Sequence, residues 1–237
     1  MPTHALYREW PAPPPLAERV ACVWEARPGS AGGIVPPDNC ADVLVHLDAD
    51  DTITAVRAVG VMSRPLAVPR AAHRVLGIRF RPGWWRATLG ISAGDLRDDA
   101  ADLAQVQRAL ARSLTSVERA PRDAAWLLSC IAQWPVEPPP AIIRTTLAAI
   151  DAAHGAAPID ALAREAGCTR QHLGRCFDEW IGVSPKLASR VVRLEHALRT
   201  PPRFGWSDVA ARYGYADQSH LIREARALRG TTPGEHA

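Results

Sequence analysis

Residues 214–236 read GYADQSHLIREARALRGTTPGEH, and their reading decides the fold. A second stretch, residues 162–185, spells LAREAGCTRQHLGRCFDEWIGVSP. Set Leu173 against Leu221 and the two register: Thr169 meets Asp217, His172 meets His220, Arg175 meets Arg223, Gly182 meets Gly230 and Pro185 meets Pro233. Upstream, Ala163 and Gly167 meet Ala210 and Gly214, with one residue of difference in the turn. Each copy predicts a short helix, a turn at glycine and a second helix. Thr169 and Asp217 suit an N-cap, because their side-chain oxygens can accept an orphan amide. Gly182 and Gly230 suit the left-handed residue after a helix, and the prolines close the stop.

Helical spacing sorts the faces of the second helices. At 100° per residue Leu173, Phe177 and Trp180 form one stripe, as do Leu221, Ala225 and Leu228, and both stripes should face a core. The opposite faces carry Gln171, Arg175 and Asp178 in copy one and Ser219, Arg223 and Arg226 in copy two. A guanidinium can fork onto guanine or phosphate, and a Gln amide can pair with adenine. Such groups near a helix start suit entry into a major groove. Between the copies, Leu187, Val191, Leu194 and Leu198 keep helical spacing up to Pro201-Pro202. One amphipathic helix could therefore hold two helix-turn-helix units in successive groove segments, about 34 Å apart.

On these residues, 141–237 resembles the DNA-binding domain of the AraC/XylS family of transcription regulators. The run SDVAARYGYADQSHLIREARALRGTTPGEH carries the resemblance, with the 162–185 stretch as a weaker first copy. The resemblance implies seven helices, of which the third and sixth read DNA. It implies base contacts at Arg170, Gln171, Gly174 and Arg175, and at Gln218, Ser219, His220, Ile222 and Arg223. Gly174 and Ile222 offer little hydrogen bonding. The expected DNA-binding set is therefore Arg170, Gln171, Arg175, Gln218, Ser219, His220, Arg223 and Arg226. The family usually has Phe where this chain has Ala225, so Trp206 or Phe204 is expected to supply the missing packing. The run GEHA follows the last proline, where the family shows an aromatic and an Arg, and the last helix should be short.

The first part of the chain spells differently. Residues 19–26, 41–47, 52–59 and 73–80 are rich in Val, Ile and aromatics and are bounded by Gly, Pro and Asp. That predicts strands, with a hairpin loop at ADDT, 49–52. After RPG, 81–83, Ala and Leu rise, and helices are expected in DLAQVQRALARSL and in PRDAAWLLSCIAQW, the latter opening on Pro121. WPVEPPP, 134–140, holds four prolines in seven residues and cannot continue a helix. The expected fold class is an α+β N-terminal domain, a small β-barrel or sheet plus helices, followed by an all-α domain with two helix-turn-helix motifs joined by a linker helix. The expected boundaries are 1–134 for the β-rich domain, 135–140 for a stiff proline-rich linker and 141–237 for the DNA-binding domain. Residues 1–134 also resemble the N-terminal half of a subset of the family, on VPPDNCADVLVHL and LGIRFRPG. That resemblance implies a sensory or dimerising role.

Composition narrows the function classes. The 237 residues are 47% hydrophobic, enough for two modest cores. Residues 1–140 balance 15 Arg against 15 Asp/Glu, while 141–237 hold 13 Lys/Arg against 10 Asp/Glu. The whole excess of +3 therefore lies in the part expected to meet DNA. No apolar run reaches the ~18 residues of a membrane span. MPTHALYREWPAPPP lacks a basic start before an apolar core, so no secretory signal is expected and the cytoplasm is the expected location. Five cysteines without a CxxC argue against a disulfide framework or a zinc site.

Asp38, Cys40, His46 and His73 are better explained by a turn at Asp38-Asn39 and a strand at His46 than by a metal. No GxSxG, HExxH or GxxxxGK[ST] occurs, so neither catalytic residues nor a cofactor are expected. Trp24, Trp84 and Trp85 could line an effector pocket, and Arg79 and Arg81, alternating on one strand face, could meet an anionic effector. The expected partners are duplex DNA, a small-molecule effector, a second copy of the chain and, for an activator, RNA polymerase. Two alternatives stand beside this: a metal-dependent enzyme in the β-rich half, or a regulator working mainly through protein contacts.

Overall fold

The computed structural model describes residues 6–14, 16–116, 122–134, 136–200 and 205–236. Pro121, Pro135, Pro201, Pro202 and Phe204, to which the sequence assigned a helix start, part of the linker, a helix stop and core packing, lie outside them.

The chain opens with strands β1 (Tyr7–Pro11) and β2 (Val20–Ala26). There follow β3 (Gly33–Val35), β4 (Ala41–Leu47), β5 (Ile53–Val59), β6 (Leu66–Val68) and β7 (Arg74–Phe80). Helix α1 (Trp84–Leu89) and a 3-10 turn (Ala93–Leu96) lead to β8 (Ala100–Asp102). Helices α2 (Leu103–Val106), α3 (Arg108–Thr115) and α4 (Ala124–Ala132) complete this part. The helix expected from 102 to 114 is broken at Gln107, whose backbone (φ −142, ψ 84) is extended.

Six strands form one antiparallel sheet in the order β1-β2-β7-β4-β5-β8, and β3 pairs with β6 in a separate two-stranded sheet. Of the two forms expected, the larger sheet is the open one, with β1 and β8 at its edges. The β4–β5 hairpin turns at the expected place: Asp48 Oδ1 accepts the amides of Asp50 and Thr52, and Asp51 takes φ 59. One face of the sheet is apolar. Val23, Val43, Val45, Leu47, Leu76, Ile78 and Phe80 pack there with Trp84, Trp85, Leu110 and Leu127 from the helices. Each fully buried side chain of this size contributes roughly 1.5–3 kcal/mol.

Residues 136–140 take no regular structure, and Pro139 is buried rather than spanning solvent. Then come α5 (Ala141–Ala152), α6 (Ile159–Glu165), α7 (Arg170–Trp180), α8 (Pro185–Leu198), α9 (Trp206–Arg212) and α10 (Gln218–Arg229). Where the resemblance implied a seventh helix there is a 3-10 turn, Pro233–His236. Two cores form around these helices. Ile143, Leu162, Leu173 and Phe177 build one, and Val209, Tyr215, Leu221 and Leu228 the other. Leu187 of α8 packs against both, as a linker helix should.

Candidate DNA-reading helices

The two copies fold as equivalent units. α6 turns at Gly167 (φ 67) into α7, and α9 turns at Gly214 (φ 70) into α10. Thr169 Oγ1 accepts the His172 amide at 3.2 Å, and Asp217 Oδ1 accepts the His220 amide at 2.6 Å. Gly182 and Gly230 follow the helices at φ 85 and 73. Leu173, Phe177, Leu221, Ala225 and Leu228 are buried, and Trp180 is half-buried. Trp206 is partly buried and packs against the second core, which contains Ala225.

The opposite faces are open. Gln171, Arg175, Ser219, Arg223 and Arg226 are exposed, and their side chains make no hydrogen bond or ion pair among the described residues. Arg170 sits 3.6 Å from Asp160, both well exposed, a contact that water and salt weaken readily. Gln218 accepts from Ser207 Oγ at 3.0 Å. His220 is half-buried, its Nδ1 accepting the Ala216 amide at 3.4 Å and its ring edge-on to Tyr215. Asp178, read from the sequence as part of the open face, is paired instead with Arg97.

The family model described as "Helix-turn-helix domain" matches residues 162–237, which are these two units. The C-terminal helices are an AraC-type DNA-binding domain. The chain is a DNA-binding transcription regulator with a β-rich N-terminal part. Residues 8–102 match a "Domain of unknown function (DUF6597)". No curated protein matches the chain in sequence.

Among solved structures, the chain is similar to ToxT from Vibrio cholerae in a P21 form, at 9% identity, 97% of each chain and a TM-score of 0.42. It is also similar to unsaturated-fatty-acid-bound ToxT from Vibrio cholerae strain SCE256, at 10% identity, 90% of this chain and 92% of that one, with a TM-score of 0.44. At such values the likeness assigns neither ligand nor residue roles.

Beside the AraC-type domain, the residues expected to bind an effector do not converge. Trp84 and Trp85 are 9% and 3% exposed in the sheet's helix-covered core. Trp24 lies on the other face, flat over Gly77, where a Cβ would overlap its indole. Its Nε1 donates to Asp42 at 2.7 Å. Strand alternation sends Trp24 away from that core, so the three indoles share no pocket. Arg79 is engaged by Asp38 and Asp42, each at 3.4 Å. Burial alone would lower its pKa, but the two carboxylates raise it above the usual arginine value. Arg81 stands beyond the end of β7, exposed, and donates to the Ala17 carbonyl at 2.7 Å.

Asp38 Oδ1 accepts the Cys40 amide at 2.9 Å and Asn39 takes φ 61, the turn expected there. His46 Nδ1 and His73 Nε2 are 2.8 Å apart. Among the described residues no group of three metal-binding side chains is placed around an ion, and no helix is long and apolar enough to cross a membrane.

The ion pairs that tie α7 and α10 to other elements were not read from the sequence. Glu224 of α10 is buried, and Arg190 of α8 forks onto it at 2.8 and 2.9 Å. Arg97 and Arg86 of the N-terminal part pair with Asp178 and Glu179 of α7. A Glu falling on the buried side of α10 was the available signal for the first contact. The second has none, because 81 residues separate Arg97 from Asp178.

Proposed function

We propose that α7 and α10 enter successive major-groove segments of one operator. Arg170, Gln171 and Arg175 would read the first segment, and Gln218, Ser219, His220, Arg223 and Arg226 the second. The observation that carries this is the matched pair Arg175 and Arg223, at the same register of two capped helices, both exposed and without an ion pair among the described residues. Arg175→Ala and Arg223→Ala should each cost roughly 1–3 kcal/mol in operator binding if they grip guanine. Gel-shift titration of the two variants checks this, and unchanged affinity in both would show that other faces meet DNA. Affinity should also fall steeply with salt.

We further assign 1–134 as the effector or dimerisation domain, 135–140 as its linker and 141–237 as the DNA-binding domain. A recess of about 460 Å³ beside Arg27, Asp51, His73 and Arg74 could admit a polar effector. A small-molecule effector, a second copy of the chain and, for an activator, RNA polymerase complete the partners, and the chain acts in the cytoplasm without enzymatic activity. Stoichiometric metal in the purified protein would instead favour a metal-dependent enzyme in the β-rich half.

A further inference from the structure

α7 and α10 are copies, yet they are held by different devices. In α10, the carboxylate of Glu224 takes both arms of Arg190 from α8. Arg193, also of α8, lies 3.9 Å from the same carboxylate and 4.4 Å from the centre of the Tyr215 ring. Tyr215 in turn backs His220 on the reading face. The second reading helix is thus fixed from inside the DNA-binding domain.

Among the described residues copy one has no such fork. In the register of the two copies, Cys176 stands where Glu224 does, and Cys168 where Tyr215 does. Cys176 Sγ meets His172 Nε2 at 3.5 Å, a contact within α7 that ties it to no other element. Besides its core packing with Ile143, Leu162 and Ala188 and the exposed Arg170–Asp160 contact, α7 takes its ion pairs to other elements from the N-terminal part. Arg97 pairs with Asp178 and donates through Nε to the Gly182 carbonyl. Arg86 pairs with Glu179 at 2.8 Å and lies 5.2 Å from the centre of the Trp180 ring. Val61, 2% exposed, is buried in the same core as Phe177 and Ile181. Gly182 makes this approach possible, since a Cβ there would overlap Val61 Cγ1.

We infer that Arg97 and Arg86 are positioning residues for DNA reading by α7 and not by α10. This rests on the reading of both helices as DNA-reading. Two physical effects act together. The clamp sets the angle of α7, and it covers negative charge. Asp178 lies three residues beyond Arg175 and seven beyond Gln171, so it continues their stripe at the far end of the reading face. An uncovered carboxylate there would repel phosphate. Each ion pair is partly exposed and weak alone, but the pairs, the carbonyl bond and the buried Val61 act on one short segment.

The test uses the full chain and an operator selected from random duplex DNA. Half-site footprints of Arg175→Ala and Arg223→Ala first assign one half-site to each helix. Arg97→Ala and Arg86→Gln should then weaken protection of the Arg175 half-site roughly threefold to tenfold. The Arg223 half-site should be unchanged. Glu224→Gln should do the reverse. The exchanged pair Arg97→Asp with Asp178→Arg should recover part of the loss, a rescue that general destabilisation would not give. Equal loss at both half-sites, no loss, or a gain at the Arg175 half-site overturns the inference. If Arg175→Ala itself leaves both half-sites intact, the reading of α7 falls, and this inference with it.

Discussion

Ala225 shows how one small residue is absorbed. It is fully buried in the second helical core, where family members carry Phe, and Trp206 packs on the same core. If Trp206 fills the missing volume, Ala225→Phe overpacks the site and costs about 1–3 kcal/mol. Combined with Trp206→Ala, the two changes should cost less than their separate values added, because they share one space. Urea denaturation of the four proteins measures the coupling, and strict additivity would mean that Trp206 does not fill that space. Glu25 offers a different test. It is 4% exposed on β2, with Arg74 at 2.6 Å and Arg27 at 3.1 Å. Burial pushes its pKa up, but the two guanidiniums outweigh burial and leave it below the usual 4.5. The ion cluster therefore adds stability above pH 4.5 and loses it as pH falls through the lower, folded value. Glu25→Gln should flatten the fall in stability on that acid side, as measured by urea midpoints at stepped pH; an unchanged slope would remove Glu25 as a contributor.

Elements differ in how far the sequence announces them. Thr169 and Asp217 cap α7 and α10 as their spelling implies, so Thr169→Ala and Asp217→Ala should each cost about 1 kcal/mol of stability. Circular dichroism during thermal unfolding reads the loss, and no loss would make the caps idle. The long strands β2, β4, β5 and β7 were legible because Val, Ile and aromatic residues cluster there between Gly, Pro and Asp punctuation. β8 was not: Ala-Ala-Asp has little strand preference, and only pairing with β5 makes it one. β3 and β6 are three residues each, and only their pairing across the intervening strands defines them. The indoles were grouped by their aromatic character, which carries no information on which face of the sheet each one meets. Trp84 and Trp85 fold back under the face opposite Trp24. The open faces of α7 and α10 were legible because helical spacing and exposure coincide there. The clamp on α7 was hidden because its halves come from distant segments, and an isolated Arg gives no local pattern.

At the scale of the molecule, Val61 tests whether the β-rich part and the first helix-turn-helix unit behave as one. It enters the core of that unit with Phe177, Ile181 and Val183, which meets the core of Leu221 and Leu228 through Leu187 of α8. Val61→Ala removes apolar contact from a site where Gly182 has already brought the backbone close, so collapse is limited and a cavity remains. The expected cost is about 1–3 kcal/mol. It should not be spread evenly. Hydrogen exchange in the full chain should quicken first at the amides of α7, while the α10 amides keep their protection, because α10 is fixed to α8 through Glu224. Equal quickening in both helices would mean that the helical cores open as one unit and that the N-terminal part braces them together. Quickening confined to α7 would mean that a change felt in the segment from Gly60 to Arg97 reaches one reading helix and leaves the other in place.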